Sequence, residues 1–260
     1  MTSELKWYDS RWLDTYLAAK EIIRQTEPAK IAEFEDQLSI FRTSPSFKYI
    51  AINDFFDEKV RAQIKSTIIS IPKEKYEMHE LRSFGRFVVH DYPPFTEMQN
   101  ALVSQVSELV GEPVETSYNF LSMYTKMGKC DPHLDAPSAK YTLDICIDQS
   151  EPWPIHFSEI IEWPDNNLSL GKDWQSDIKS SAGLTFNTET LMPGDAVLFS
   201  GSSQWHYRDP LHAKGSNSFC DLLFFHFIPE GSAYIAQPKN WAALFDIPEL
   251  ATLPGIQTRM

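Results

Sequence analysis

The sequence contains few cysteines and little glycine, and it has no long apolar segment. Its 260 residues include three scattered cysteines, Cys130, Cys146 and Cys220, which predict free thiols rather than a disulfide framework. Ten glycines and the absence of a GxGxxG or GxxxxGK[ST] string argue against a glycine-rich phosphate loop. No apolar run approaches the roughly 20 residues of a membrane-spanning helix. The N-terminus also lacks the basic start and apolar stretch of a signal peptide. We therefore predict a cytoplasmic protein that does not bind membranes.

The sequence also contains fewer basic residues than acidic ones. The chain has 36 Asp and Glu against 23 Lys and Arg, which gives a formal net charge of -13. Binding to nucleic acid depends on neutralising phosphates, and no local stripe of Lys and Arg compensates for the acidic average. The composition therefore excludes a nucleic-acid partner and favours a small molecule or a protein as substrate.

Amphipathic helices are predicted in the first half of the chain. Residues 4–42 carry apolar side chains at three- and four-residue steps, with an interruption at Pro28. Asp57 is expected to cap a helix that ends near Ile71. Residues 94–111 show another helical pattern of apolar positions. The hydrophobic periodicity of this half thus predicts helices.

The sequence pattern changes at residue 117. From there on, short runs rich in Phe, Tyr, Ile, Leu and Val alternate with turn residues. Strands are predicted over residues 47–56, 84–92, 117–126, 139–148, 153–161, 183–189, 195–201 and 218–228. This spacing favours a β-sandwich or barrel. We predict an α+β protein that forms one domain over residues 1–260. Its parts are an N-terminal helical extension (1–45), a β core with supporting helices (47–235) and a C-terminal lid or tail (236–260).

The first chemical motif is His133-Leu134-Asp135. Side chains two residues apart on a strand point to the same side, so both can reach one metal ion. A third ligand is offered by His206, which follows a Pro-Gly-Asp turn at residues 193–195 and an apolar strand. Two imidazoles and one carboxylate suit Fe(II) and leave adjacent coordination positions open. These three residues are the predicted metal-binding and catalytic set.

Together these features resemble the iron(II)/2-oxoglutarate-dependent oxygenases, specifically the branch similar to prolyl 4-hydroxylases. The resemblance spans about residues 120–228 and includes Tyr124 and Gly128 before the HxD motif. It implies a double-stranded β-helix, or jelly roll, with Fe(II) held by His133, Asp135 and His206. It further implies 2-oxoglutarate and O₂ as co-substrates and hydroxylation of an unactivated C–H bond, with succinate and CO₂ as by-products. The related iron halogenases replace the carboxylate, so the presence of Asp135 favours oxygen insertion.

The co-substrate pocket departs from the family pattern. The family usually places a Lys or Arg shortly after the distal histidine, at a position taken here by Ser216. Arg208 is the main alternative cation for the far carboxylate of 2-oxoglutarate, and Lys214 is the second. A surface ion pair between Arg208 and Asp209 is the competing interpretation. By the same resemblance, the Tyr124 and Ser218 hydroxyls contribute to the co-substrate site, with core packing as the alternative for Tyr124.

Substrate residues are harder to identify. Arg86 can meet a substrate carboxylate, and Trp241, in the predicted lid, can close over a small substrate. The competing interpretations are a solvated charge for Arg86 and packing on the barrel for Trp241. A zinc site using Cys130 with His133 lacks a second pair of ligands, and His226 is expected to be structural.

A small-molecule hydroxylase is the favoured function, with a free amino acid among the candidate substrates. A hydroxylase of prolyl or other peptide residues and a non-catalytic binding module remain alternatives. The expected assembly is a monomer or a homodimer.

Overall fold

The structure is a computed structural model that describes residues 10–163, 173–211 and 217–253. Its helices are α1 (Ser10–Thr26), α2 (Ile31–Leu38), α3 (Glu58–Ser70), α4 (Pro93–Ala101), α5 (Val103–Val110), α6 (Trp174–Lys179) and α7 (Trp241–Leu244). Its strands are β1 (Ile50–Ile52), β2 (Arg86–His90), β3 (Val114–Tyr124), β4 (Cys130–His133), β5 (Tyr141–Gln149), β6 (Ile155–Ile160), β7 (Asn187–Glu189), β8 (Ala196–Phe199), β9 (Gln204–Arg208) and β10 (Cys220–Pro229).

The strands form two antiparallel sheets. One has six strands in the order β1-β8-β5-β10-β3-β2, and the other has four in the order β4-β9-β6-β7. From β3 to β6 and from β7 to β10, successive strands alternate between the sheets, while β6 and β7 pair within the four-stranded one. The chain thus winds through both sheets as a jelly roll. The predicted α+β class with a double-stranded β-helix core is therefore confirmed.

The central strands β5, β8 and β10 of the six-stranded sheet are buried on both faces, and side chains along each strand alternate between the faces. In β10, Leu223, Phe225 and Phe227 pack in one cluster with Ile64, Phe95 and Val106 of helices α3, α4 and α5. The intervening Leu222 and Phe224 belong to a second cluster, which contains residues of the four-stranded sheet. The even-numbered positions of β10 therefore face the interior between the sheets, where the candidate site lies.

Most predicted elements are present, with differences at their ends. Asp57 caps α3 as expected, since its carboxylate accepts a hydrogen bond from the Val60 amide. The helix predicted over 94–111 is divided at Leu102, whose amide bonds back to Gln99 in a tighter turn. Strands β4 and β9 and helix α6 lie outside the elements predicted from the sequence.

The helices of the N-terminal part pack against the C-terminal segment in a terminal aromatic cluster formed by Trp12, Tyr16, Phe34, Trp163 and Trp241. Trp241 is fully buried and meets Trp12 and Phe34 nearly at right angles, with ring centroids 5.5 and 5.3 Å apart. Its indole N–H donates to the Ile235 carbonyl at 2.7 Å. Edge-to-face packing of this kind stabilises a core. The prediction that Trp241 closes over substrate is therefore wrong.

None of the helices in the described ranges is long and apolar enough to cross a membrane. The division of the chain into one domain with an extension, a core and a tail stays a prediction.

Candidate metal centre

Two histidines and an aspartate meet between the sheets. His133, Asp135 and His206 each offer a ligand atom, and these atoms lie within 4.8 Å of one another. Nε2 of His133 is 3.5 Å from one Asp135 carboxylate oxygen, and Nε2 of His206 is 3.8 Å from the other. Within the described part of the chain, no other set of three or more potential ligands converges in this way.

Strand pairing brings the two histidines together. His133 ends β4 and is paired in register with His206 in β9. Nδ1 of His133 lies 2.8 Å from the Asp131 carbonyl, and Nδ1 of His206 lies 2.9 Å from the Gln204 carbonyl. A carbonyl can only accept, so both Nδ1 atoms carry the proton and donate it. The lone pairs of both Nε2 atoms are thereby left for a metal ion, which is the usual support for metal-binding histidines.

Asp135 is positioned by a close approach to Gly201. Its amide donates to the Gly201 carbonyl at 2.8 Å. A Cβ atom at residue 201 would lie 2.3 Å from the Asp135 carboxylate and 2.7 Å from Oγ1 of Thr142. Any side chain there would displace the carboxylate, so glycine is required for the observed geometry.

The pKa values at this centre suit a cation site. Burial, with His133 nearby, lowers the pKa of His206 to about 3. Burial would raise the pKa of Asp135, but the imidazoles of His206 and His133 outweigh it and hold that pKa well below its usual range. Burial lowers the pKa of His133, yet Cys130 and Asp135 outweigh burial and raise it. A charged carboxylate beside a neutral imidazole favours a divalent cation, whose binding would release the His133 proton.

The three side chains open into a cavity of about 420 Å³, which lies between the two sheets. This volume is typical of small-molecule sites. Both sheets contribute to its walls through inward-facing residues, among them Arg86, Tyr124, Thr142, Phe224 and Arg208.

Arg208 reaches this cavity from β9, two residues beyond His206. It is buried, and its guanidinium donates to the Asp144 carboxylate at 2.7 Å and to the Trp153 carbonyl. The alternative of a surface ion pair with Asp209 is therefore wrong, because Asp209 lies outside the cavity lining and pairs with Lys179. Burial raises the pKa of Asp144, although Arg208 opposes this shift.

Arg86 and Tyr124 lie together in the same cavity. The Arg86 guanidinium donates to the Tyr124 hydroxyl at 2.8 Å and pairs with the Glu80 carboxylate. It also lies over the rings of Phe84 and Phe120, at 4.9 and 5.2 Å from their centroids. Arg86 is 7% exposed, so its interpretation as a solvated charge is wrong.

Two predicted residues lie elsewhere. Ser218 is outside the cavity lining and donates to Glu151 at 3.1 Å, because it precedes β10 and faces a separate surface depression. Trp241 belongs to the terminal aromatic cluster. Lys214 and Ser216 lie outside the described residues.

The zinc alternative is not supported by the position of Cys130. Its sulfur is 3.7 Å from Nδ1 of His133, the atom that already donates to the Asp131 carbonyl. No cysteine joins the convergent ligand set found among the described residues.

Sequence reasoning missed Thr142, Asp144 and Gly201, and it treated His226 as structural although this residue lines the cavity. The first two alternate along β5 with apolar residues, so a strand pattern with polar inward positions was the available signal. Burial lowers the pKa of His226 to about 4, which keeps its imidazole neutral near pH 7.

No protein-family model matches the sequence, and no curated protein matches it. Solved structures do match in fold. SnoK, a non-haem alpha-ketoglutarate-dependent carbocyclase from nogalamycin biosynthesis, aligns with a TM-score of 0.56 at 12% identity, over 70% of this chain and 79% of its own. HygX from Streptomyces hygroscopicus, solved with nickel and 2-oxoglutarate, gives 0.51 at 15% identity, over 75% and 87%.

EctD from S. alaskensis, solved with 2-oxoglutarate and 5-hydroxyectoine, gives a TM-score of 0.51 at 12% identity and covers 75% of both chains. These likenesses define the class of fold. It is the jelly roll of the iron(II)/2-oxoglutarate-dependent oxygenases, and the resemblance seen in the sequence is confirmed at the level of the fold.

Proposed function

We propose that this protein is a non-haem Fe(II)/2-oxoglutarate-dependent dioxygenase that hydroxylates an unactivated C–H bond of a small molecule. The observation that carries the proposal is the convergence of His133, Asp135 and His206 at the wall of a cavity. Solved structures that share the fold at low sequence identity and contain 2-oxoglutarate support the proposal. Fe(II) with 2-oxoglutarate and O₂ supplies the oxidising chemistry, while the protein holds and orients the reactants.

The residues present fit Fe(II). Two neutral nitrogen donors and one carboxylate on one side of an ion leave the opposite side open for a chelating co-substrate and O₂. In this proposal His133 and His206 bind the ion through Nε2, and Asp135 binds it through a carboxylate oxygen. Asp135 favours hydroxylation over halogenation, because it fills the position that a halide would need.

Arg208 and Tyr124 are the proposed anchors for the far carboxylate of 2-oxoglutarate. Arg208 is buried, points into the cavity, and lies on the same strand and face as His206. Its pairing with Asp144 and Trp153 fixes the guanidinium before the ligand arrives, which lowers the entropic cost of binding. Arg86 holds the Tyr124 hydroxyl from the other side and is retained as a substrate-facing residue.

The substrate is proposed to be a small molecule, because the cavity walls are formed within the chain and enclose about 420 Å³. A cytoplasmic location and a monomeric or homodimeric state stay predictions from the sequence.

The test is anaerobic addition of Fe(II) and 2-oxoglutarate to the purified protein. We expect the weak visible charge-transfer band of a chelated complex in the wild type and its loss in His206→Ala. His156→Ala is the matched control, since His156 bonds to Thr188 outside the cavity lining and should leave the band intact. A wild-type protein without the band, or a normal band in His206→Ala, would overturn the proposal.

A further inference from the structure

Four near-parallel rings from two neighbouring strands form an aromatic wall in the cavity: Tyr118, Phe120, Phe224 and His226. Tyr118 and His226 stack with ring centroids 4.0 Å apart and planes 6° apart. Phe120 and Phe224 stack at 4.8 Å and 27°. The rings within each strand are also nearly parallel, at 16° in β3 and 19° in β10. The wall is therefore a two-layer stack rather than an edge-to-face core.

One side of this wall is not covered by another ring. Across the sheet, β10 lies between β3, which supplies the other two rings, and β5. On β5, Phe224 is in register with Asp144 and His226 is in register with Thr142. The side chains of Asp144 and Thr142 are smaller than the rings of Phe224 and His226 beside them. Among the described residues, neither Phe224 nor His226 has a ring contact outside the wall. On its β5 side the wall is thus bordered by two small polar side chains in place of a further ring.

Polar atoms without a hydrogen-bond partner lie on β5, beside the aromatic wall. Oγ1 of Thr142 and Oδ1 of Asp144 are buried and have no hydrogen-bond partner. Thr142 is 1% exposed and its hydroxyl lies close to Asp135, since both approach the Cβ position of Gly201. A buried hydroxyl without a partner is costly, so its presence in a cavity points to a ligand that completes the bond.

We propose that the substrate carries a planar conjugated ring with a polar substituent. The ring stacks on the aromatic wall where Phe224 borders the cavity, and the substituent hydrogen-bonds to the Thr142 hydroxyl beside Asp135. Offset stacking on parallel rings favours a flat π system over a saturated ring of equal size. This inference rests on the proposed function, because it assigns the substrate class of the same site.

The experiment measures binding rather than turnover, with 2-naphthol and decahydro-2-naphthol as a matched pair of probes. Affinities are measured by titration calorimetry, both for the metal-free protein and for protein loaded anaerobically with Fe(II) and 2-oxoglutarate. We expect 2-naphthol to bind about three- to tenfold more tightly than its saturated counterpart. Equal or tighter binding of the saturated compound would overturn the inference.

Variants then show which side chains cause the preference for the planar probe. Phe224→Leu keeps apolar bulk but removes a ring, and it should abolish most of the preference for the planar probe. Tyr234→Leu removes a ring that is 57% exposed and outside the cavity lining, and it should leave the preference unchanged. Thr142→Val should remove the advantage of 2-naphthol over naphthalene. A preference that survives Phe224→Leu in a folded variant, checked by circular dichroism, would contradict the wall as the binding surface.

The charge-transfer band separates this inference from the proposed function. If the band forms in the wild type and in Phe224→Leu but no planar preference exists, the ring inference fails and the proposed function stands. If the metal-free protein shows the preference and the band never forms, the proposed function fails.

Discussion

The terminal aromatic cluster and the aromatic wall both contain several packed rings, yet the polar groups beside those rings differ. In the cluster, Trp241 meets its neighbours at 89° and 87°, is fully buried, and has its indole N–H paired. In the wall, Phe224 and His226 lie within 27° of parallel to their partners and stand beside the unpaired Thr142 hydroxyl. The cluster also contains near-parallel pairs, Trp12 with Tyr16 at 11° and Tyr16 with Phe34 at 15°, so ring angle alone does not separate the two regions. A closed core with its indole N–H paired indicates packing, whereas rings beside buried polar atoms that have no partner indicate a binding surface.

The largest expected effect concerns the terminal aromatic cluster, which we interpret as core packing. Trp241→Ala should lower the free energy of unfolding by about 3–5 kcal/mol, because it empties a large buried site. Urea denaturation measures the loss. The affinity for Fe(II), measured at a temperature where the variant is folded, should not change.

Tyr234→Ala is the control for this variant, since Tyr234 is exposed and should cost little stability. A Trp241→Ala protein of normal stability that binds substrate probes poorly would restore the interpretation of this residue as a lid.

The second prediction concerns the buried ion pair between Arg208 and Asp144 in the cavity. Arg208→Met should weaken 2-oxoglutarate binding at least about tenfold, because it removes the cation for the far carboxylate. It should also destabilise the fold by about 3 kcal/mol, since Asp144 is left buried without its partner. Calorimetric titration and urea denaturation measure the two effects.

A double variant separates these two contributions. Arg208→Met combined with Asp144→Asn should recover much of the stability while 2-oxoglutarate binding stays weak. Recovery of binding in the double variant would show that Arg208 acts only as a structural partner of Asp144.

The third prediction concerns the space around the backbone beside the metal centre. Gly201→Ala should weaken Fe(II) binding about ten- to a hundredfold, because the new methyl group would displace the Asp135 carboxylate. Gly183→Ala is a matched control, as the nearest atom to its added Cβ is 3.7 Å away. Equilibrium dialysis compares the two. Equal affinities would mean that Asp135 has more freedom than its contacts with Gly201 allow.

Sequence reasoning recovered much of the fold because β8 and β10 are rich in apolar residues and β5 alternates apolar with polar ones, and all three runs have strand length between turn residues. It missed β9, because the sequence QWHYR mixes charged and aromatic residues that serve the site. The division between α4 and α5 was also missed, since the apolar pattern continues through Leu102.

The metal set was predictable because two ligands, His133 and Asp135, lie two residues apart and His206 follows a recognisable turn. The pairing of Arg208 with Asp144 was not predictable, since it depends on how two distant strands face each other across the cavity. Trp241 was misassigned because an aromatic residue near a chain end looks the same in sequence whether it packs or closes a site.

The most direct test of the central claim is anaerobic equilibrium dialysis of Fe(II) against the wild type and two buried-histidine variants. His206→Ala removes a proposed ligand. His226→Ala removes an imidazole that lines the same cavity but lies outside the convergent set. We predict one bound ion in the wild type and in His226→Ala, and at least about a hundredfold weaker binding in His206→Ala. Equal binding by the two variants, or greater loss in His226→Ala, would contradict the assignment of the metal centre.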